Sequence, residues 1–294
     1  MRRRVPKSLL GYDIGSRGKE NRLRRLLQII QDKYLTLIVS FPLIVEKLRS
    51  PISYALAFVI GFRNPELRTL EFRDGMRITL RGAYSDYRVV LENAIWDIYG
   101  WDHPFDKNRA LTIIDIGAHI GTFAVVMGKR YPNATIYAFE PFIENFKLLT
   151  KNIQDSKITN VRAQMKAIAG KRGEVNLNIS SSNTGAHSII FQQDGLTSVE
   201  AIPLSDVFAT YNISTCDFLK VDCEGAEYDI LLSTPGDVLN KIQTIVMEYH
   251  NSDKHNQSEI VTYLKGHGFK IEYFGESVTE PLTIGVLRAE KKSA

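Results

Sequence analysis

The sequence lacks the marks of a secreted, disulfide-stabilised protein. Its 294 residues include only two cysteines, Cys216 and Cys223, without the spacing of a disulfide framework or a zinc site. The arginines near the N-terminus are followed by Gly11, Tyr12 and Asp13 rather than by the apolar core of a signal peptide. We therefore expect a cytoplasmic location.

Long apolar runs are also missing. The segment from Tyr34 to Phe62 is apolar, but VEKLRSP (Val45 to Pro51) divides it into pieces of about a dozen residues, short of the ~20 that a spanning helix needs. We expect two packed or interfacial helices, with breaks at Pro42 and Pro51.

Acidic residues are scarce at the N-terminus. The formal net charge is only +4, yet nine basic residues face only Asp13 and Glu20 in the first 25 positions. The nine are Arg2, Arg3, Arg4, Lys7, Arg17, Lys19, Arg22, Arg24 and Arg25. Such an arm suits peripheral membrane contact through residues 1–62, although a solvated terminus is its commoner meaning.

Sequence patterns divide the chain into three regions. Residues 1–65 are expected to form a basic, apolar helical extension. In residues 66–105, LEFRDGMRITLRG (Leu70 to Gly82) alternates around Asp74-Gly75, which predicts a β-hairpin. DYRVVLENAIWDIYGW (Asp86 to Trp101) then has helical apolar spacing. Residues 106–294 are expected to form the core domain.

Strand-like and helix-like stretches alternate in this core. The apolar runs are Leu111 to Ile116, Thr135 to Phe139, Val161 to Ala167, Phe218 to Val221, Ile242 to Met247, Lys270 to Phe274 and Leu282 to Leu287. This alternation predicts an open α/β sheet. Ligands of such sheets bind beyond the carboxyl ends of the strands, so residues at these ends are the candidates for function.

A glycine-containing loop follows the first of these strands. Gly117 and Gly121 allow a tight turn and a close approach to a ligand at the start of a helix. The loop lacks the middle glycine of Gly-x-Gly-x-x-Gly. Glu140 ends the next strand, where a carboxylate can accept hydrogen bonds from ribose hydroxyls. With Asp115 inside the first strand, the pattern favours S-adenosylmethionine over NAD.

FLKVDCEGAEYDIL (Phe218 to Leu231) carries the candidate chemistry. Lys220 and Asp222 share one face of a strand, and Glu248 and His250 share a face at the end of the next strand. A carboxylate such as Asp222 favours the positive charge of a sulfonium. His250 can remove the proton of an attacking hydroxyl. We therefore predict Asp222 and His250 as catalytic residues.

Several alternatives stay open for these side chains. Asp222, Glu224, Glu248 and His250 are candidate ligands for Mg²⁺, which would acidify a bound hydroxyl without a dedicated base. Lys220 is expected either to pair with a carboxylate such as Glu248 or to contact substrate. Glu227 is expected to cap a helix rather than to act in catalysis.

Two further segments bear on the substrate. The strand end Asp222-Cys223-Glu224-Gly225 lacks the Asn/Asp-Pro-Pro-Tyr/Phe motif of amino-methylating nucleic-acid enzymes, so no nucleic-acid partner is expected. The polar segment from Ser180 to Asp206 is either a surface loop or the mouth of a substrate site that uses Asn183 and His187.

Together, IIDIGAHIGTFAVVMGKRYPNATIYAFEP, KAIAGKRGEVNLNI, DFLKVDCEGAEYDIL and IVMEYH resemble the FkbM-type methyltransferase family. The resemblance covers about Leu111 to Tyr273. It implies a Rossmann-like, seven-stranded class I methyltransferase sheet, here with a helical N-terminal extension and a β-hairpin. The family usually carries asparagine where this sequence has His119, for which a solvent-exposed position at the helix start is at least as plausible as a cofactor contact.

The resemblance also implies an activity. Members use S-adenosylmethionine, and most methylate hydroxyls of sugars and related natural products, so a glycan, glycolipid or small-molecule acceptor is expected. The predicted cofactor site consists of Asp115, Gly117, Ala118, Gly121, Glu140 and Pro141. The alternative function is a catalytically silent nucleoside-binding module that docks a partner or membrane through its N-terminal extension.

Overall fold

The structure, a computed structural model, describes residues 22–60, 66–82, 84–99, 105–177, 197–223, 225–251, 255–279 and 282–291. Its strands are β1 (Leu67–Glu71), β2 (Arg77–Arg81), β3 (Thr112–Ile116), β4 (Thr135–Phe139), β5 (Val161–Gln164), β6 (Ala167–Ile168), β7 (Gly173–Leu177), β8 (Thr197–Ile202), β9 (Phe218–Val221), β10 (Thr244–His250), β11 (Phe269–Thr279) and β12 (Leu282–Lys291). Its helices are α1 (Arg22–Lys47), α2 (Pro51–Ile60), α3 (Tyr84–Val90), a π-helix (Leu91–Trp96), α4 (Thr122–Arg130), α5 (Ile143–Asp155), α6 (Leu204–Thr210), α7 (Glu227–Ser233), α8 (Gly236–Leu239) and α9 (Gln257–Gly266).

The core is a 7-stranded sheet in the order β11-β12-β10-β9-β3-β4-β5. Strands β10, β9, β3, β4 and β5 are parallel, and β12 runs antiparallel to both of its neighbours. A parallel strand covered on both faces buries its residues on both sides. All four residues of β9 are accordingly buried, and three of them are apolar. The predicted α/β sheet is confirmed.

The order of the strands identifies the edge of the sheet where a ligand binds. From β3 the chain proceeds outward to β4 and β5, and it later returns to the other side of β3 as β9 and β10. The direction therefore reverses between β3 and β9, and open α/β sheets bind ligands in the crevice at this reversal. The residues after Ile116 and Val221 lie at this point.

One predicted strand is divided in the structure. The run from Val161 to Ala167 forms β5 in the main sheet and β6 in a 3-stranded sheet with β8 and β7. The chain leaves the main sheet at Met165, which is exposed, and the Lys166 ammonium forms a surface ion pair with Glu200. An exposed ion pair of this kind is incompatible with a strand that is buried on both faces.

The predicted hairpin is confirmed and is fixed to the core. Strands β1 and β2 pair antiparallel, and Asp74 Oδ1 accepts a hydrogen bond from the Met76 amide in the turn. The side chain of Asn152 on α5 bonds to both backbone groups of Thr79, with distances of 2.7 Å from the Thr79 amide and 2.9 Å to its carbonyl. The hairpin is therefore part of the body of the protein.

The N-terminal helices differ from expectation at Pro42. Helix α1 continues through this proline, whereas Pro51 begins α2 as predicted. Pro42 and Ile38, whose carbonyl loses its donor, both lie on the exposed side of α1, so the lost hydrogen bond does not fall in the core. No helix within the described ranges is long and apolar enough to cross a membrane.

The predicted helix from Asp86 to Trp101 begins as α3 and continues as a π-helix to Trp96; Trp101 lies outside the described residues. Single π-helical turns are rare in proteins, and a large share of them lies at functional sites. This one packs between α1 and α4.

Candidate active site

The glycine loop that follows β3 has no room for a side chain at Gly117 or at Gly121. A Cβ atom on Gly117 would lie 1.8 Å from the Asp222 carbonyl oxygen, and one on Gly121 would lie 2.4 Å from Leu149 Cδ1. Both glycines have positive φ, 76° and 81°. The amides of Gly117 and Ala118 donate to the Phe139 carbonyl, which ties the loop to β4. The loop therefore needs glycine at both positions, as the sequence predicts.

Glu140 follows β4 and lies beside this loop. Its Oε2 accepts a 2.8 Å hydrogen bond from the His119 amide, and its Oε1 accepts a 2.9 Å bond from the Phe142 amide. Burial raises the pKa of Glu140 to about 7, although both of these amides lower it. Pro141, the next residue, is half-buried. Glu140 is thus held in one orientation at the edge of the loop.

A polar network joins Glu140 to the hairpin. Arg81, at the end of β2, donates two 2.9 Å hydrogen bonds to the two oxygens of Asp86, which is fully buried. Arg81 also donates a 2.8 Å bond to Asn145 Oδ1, and Asn145 Nδ2 donates to Glu140 Oε1 at 3.3 Å. Sequence analysis missed Arg81, Asp86 and Asn145. Arg81 and Asp86 lie close in the chain without a recognisable motif, and Asn145 is distant from both.

His119 belongs to the same network. Its Nε2 lies 3.3 Å from the Arg81 guanidinium and 3.6 Å from Asp86 Oδ1, and its side chain is only 12% exposed. The solvent-exposed position considered from the sequence is therefore wrong. His119 has a φ of 52°, and its ring lies beside Arg81 of the hairpin.

Lys220 connects the carboxylates of two strands. Its Nζ lies 3.2 Å from Asp115 Oδ1 and 3.4 Å from Asp222 Oδ2, and it donates a 3.1 Å hydrogen bond to the Gly117 carbonyl. Burial lowers the pKa of Lys220, but the charges of Asp115 and Asp222 outweigh burial and raise it above its usual value. The predicted pairing with Glu248 is not observed; the carboxylate partners are Asp115 and Asp222.

Asp115 and Asp222 differ in access. Asp115 is fully buried, which raises its pKa although Lys220 lowers it. Asp222 is 26% exposed and accepts a 3.2 Å hydrogen bond from the Tyr99 hydroxyl. Burial, followed by the charge of Asp222, raises the pKa of Tyr99. A direct cofactor contact by Asp115 stays a prediction, whereas Asp222 is accessible from the edge of the sheet.

His250 lies between two carboxylates. Its Nδ1 is 3.3 Å from Glu227 Oε1, and its Nε2 is 3.4 Å from Glu248 Oε1. Glu227 also accepts hydrogen bonds from the amides of Cys223 and Gly225. The expected capping role of Glu227 agrees with these bonds, but its contact with His250 was not anticipated. Glu227 thus lies on the Nδ1 side of the ring, and the more exposed Glu248 lies on the Nε2 side.

Glu92, on the π-helix, adds a further carboxylate near Glu248 and Asp222. It forms a 2.5 Å ion pair with Arg88 on α3. Burial raises the pKa of Glu92, Arg88 lowers it, and the nearby charges of Glu248 and Asp222 raise it further. The i, i+4 spacing of Arg88 and Glu92 was the only sequence signal for this pair, and it is equally typical of a solvated helix face.

The predicted Mg²⁺ alternative gains no support from the geometry. Among the residues that the structure describes, no group of three or more histidine, cysteine, aspartate or glutamate side chains could hold a metal ion. Glu224, one of the four candidate ligands, lies outside those residues, as do Asn183 and His187 of the polar segment. Both cysteines are free.

The reversal in strand order, the glycine loop and the acidic residue after β4 define a Rossmann-like nucleoside-binding enzyme of the class I methyltransferase type. The chain belongs to the family described as methyltransferase FkbM domain, whose model matches residues 115–271. It is accordingly an S-adenosylmethionine-dependent methyltransferase.

Curated relatives agree with this assignment. Methyltransferase 1 of Beauveria bassiana is 25% identical over 54% of this chain and 72% of its own length. Methyltransferase sdnD of Sordaria araneosa is 25% identical over 63% of this chain and 81% of its own length. The 31-O-demethyl-FK506 methyltransferase FkbM of Streptomyces tacrolimicus is 24% identical over 58% and 76%.

Among solved structures, TYW2 of M. jannaschii in complex with AdoMet covers 79% of this chain and 89% of its own, with 13% identity and a TM-score of 0.42. That overlap is too limited to carry an argument about the site.

Proposed function

We propose that the protein transfers the methyl group of S-adenosylmethionine to a hydroxyl of a sugar, glycan, glycolipid or related natural product. The observation that carries the proposal is the position of His250 between Glu227 and Glu248, one strand away from Asp222 at the switch point of the sheet. Support also comes from the relative named for 31-O-demethyl-FK506, since its name describes O-methylation of a natural product.

The residues of the glycine loop and the end of β4 fit the cofactor. Gly117, Ala118 and Gly121 would hold it along the loop, and Glu140, followed by Pro141, would accept hydrogen bonds from the ribose hydroxyls. A carboxylate offers about four lone-pair positions, so the protein donors on Glu140 leave room for a ligand. When bound, S-adenosylmethionine supplies an electrophilic methyl group on a positively charged sulfonium.

Asp222 and His250 are the proposed catalytic residues. The Asp222 carboxylate lies where it can favour a positive charge at the crevice, and Lys220 and Tyr99 hold it there. His250 Nε2 would accept the proton of the acceptor hydroxyl, with the Glu227 carboxylate 3.3 Å from Nδ1. An imidazolium formed in this way would lie between two carboxylates, which stabilise its charge.

The charge of the edge favours a neutral, hydroxyl-bearing acceptor. Glu92, Asp222 and Glu248 are close enough for their charges to act on one another. Carboxylates accept hydrogen bonds from hydroxyls and repel phosphates. We therefore propose a polyhydroxylated small molecule, glycan or glycolipid rather than a nucleic acid. We further propose that the enzyme acts in the cytoplasm, with peripheral membrane contact.

Two comparisons test this function. Mass spectrometry of glycan and lipid pools from cells with and without the protein should reveal species that differ by one methyl group on oxygen. If the only differences fall on nitrogen or on nucleic acid, the proposed acceptor class is wrong.

With the acceptor identified, His250→Ala should lower turnover by about 10²- to 10⁴-fold and leave S-adenosylmethionine affinity nearly unchanged. His255→Ala, at an exposed histidine that also faces a carboxylate, Glu259, is the matched control. Dialysis against EDTA should not change activity. Loss of activity that Mg²⁺ restores would favour the metal alternative over a histidine base.

A further inference from the structure

Helices α1 and α2 present an exposed surface of large apolar side chains, which we call the apolar face. Its members are Leu35, Ile38, Phe41, Val45, Ile52 and Leu56. Ile38 and Ile52 are each 67% exposed, and Leu56 is 53% exposed. Contiguous apolar residues on a protein surface mark a contact with another molecule, whereas isolated ones need no explanation.

The opposite side of α1 is anchored to the protein, so the orientation of the apolar face is fixed. Ser40, Ile44 and Leu48 are buried. Ser40 Oγ accepts a 2.9 Å hydrogen bond from Trp96 Nε1, and the Lys47 ammonium donates to the carbonyls of Ala94 and Ile95 at 2.7 and 2.8 Å. Helix α1 thus uses one side for the core and turns an apolar side outward.

The charge of the sequence that precedes this surface in the chain identifies the kind of partner. Helix α1 begins at Arg22, with Arg24 and Arg25 in its first turn, and the first 25 residues of the chain hold nine basic and two acidic side chains. An apolar helix face next to a cationic segment is the pattern of helices that lie in the interface of an anionic membrane. Each nearby basic residue adds to the attraction of negatively charged headgroups.

We propose that the apolar face docks on the surface of a bilayer that contains anionic lipids. The side chains of the face enter the boundary between headgroups and acyl chains, and the basic segment contacts the headgroups. This names the surface and the lipid chemistry for the membrane contact proposed above. Its readout is vesicle binding, which does not depend on the identity of the methyl acceptor.

Co-sedimentation of the full chain with vesicles tests the proposal. We expect binding to vesicles that contain phosphatidylglycerol, much weaker binding to pure phosphatidylcholine, and loss of most of the binding at about 0.5 M salt, where charges are screened within a few ångströms. Ile38→Ser with Ile52→Ser should weaken binding at least about 10-fold, since each buried side chain of this size contributes that much or more.

Leu67→Ser with Met165→Ser is the matched control, because these residues are also apolar and exposed, at 57% and 47%, but lie outside the face. This pair should bind vesicles like the wild type. Unchanged thermal unfolding of both double variants would show that the fold is intact.

Three results would overturn the proposal. The first is no binding to the anionic vesicles, and the second is equal binding by the Ile38/Ile52 variant. The third is a concentration-dependent dimer in analytical ultracentrifugation that becomes monomeric in this variant, because the face would then be the contact between two copies of the chain.

Discussion

Replacing Arg81 with methionine tests whether residues ahead of the family domain help to build the cofactor site. The change would remove from the fully buried Asp86 the guanidinium that donates two hydrogen bonds to it. Removing one partner of a buried ion pair costs about 3–5 kcal/mol, because the remaining charge loses the partner of opposite sign that offset its burial. Arg81→Met should lower the free energy of unfolding by about that amount.

A double-mutant cycle separates the pair from general damage. Asp86→Asn alone should cost about 1–3 kcal/mol. The double variant should cost less than the sum of the single variants by about 1–3 kcal/mol, because Arg81→Met no longer leaves a buried charge behind. Urea unfolding of the four proteins provides the measurement. Arg77→Met, on the same strand, removes a half-exposed pair with Glu71 and should cost at most about 1 kcal/mol.

The same variant should weaken cofactor binding. Loss of Arg81 removes the 2.8 Å bond that orients Asn145, which in turn contacts Glu140. If the free energy of one neutral hydrogen bond, about 1.4 kcal/mol, is lost from cofactor binding, the affinity falls about tenfold. Two results together would refute the idea that the network supports the site. The first is a double variant whose loss of unfolding free energy equals the sum of the two single losses within about 0.5 kcal/mol, and the second is an unchanged S-adenosylmethionine affinity.

Three more predictions follow from the buried charges and the loop. Lys220→Met should destabilise the protein by about 3–5 kcal/mol, and adding Asp115→Asn should recover part of that loss in urea unfolding. Glu140 has a pKa of about 7 against an ordinary value of 4.5, so its contribution to stability should decline as pH rises between these values. Over the same range the affinity for S-adenosylmethionine, measured by calorimetry, should increase. Glu140→Gln should remove both trends. Gly117→Ala should abolish cofactor binding or folding, because its Cβ would collide with the Asp222 carbonyl; near-normal circular dichroism and binding would contradict the loop geometry.

The sequence was sufficient for the parts of the molecule that local patterns specify. Strands β4 and β9 were predicted at the observed bounds, because buried parallel strands have strong local signals. The hairpin followed from Asp74-Gly75. The position of Glu140 followed from its distance to the glycine loop.

Contacts between distant segments could not be predicted. Arg81 and Asp86 are only five positions apart, but they meet Asn145 because the hairpin packs on α5, and no periodicity encodes that packing. Lys220 was expected either to pair with a carboxylate such as Glu248 or to contact substrate; it pairs with Asp222 and with Asp115 on the neighbouring strand β3, and the strand order decides the second partner. Pro42 was predicted as a break, since a sequence does not reveal that its side of α1 is exposed.

The central claim is that the β3 loop and Glu140 form an S-adenosylmethionine site, and titration calorimetry on the full chain tests it most directly. We predict binding of S-adenosylmethionine and S-adenosylhomocysteine, no binding of NAD, and clearly weaker binding of both sulfur ligands by Glu140→Ala. Binding of NAD with no response to either sulfur ligand, or a Glu140→Ala protein with wild-type affinity, would contradict the account.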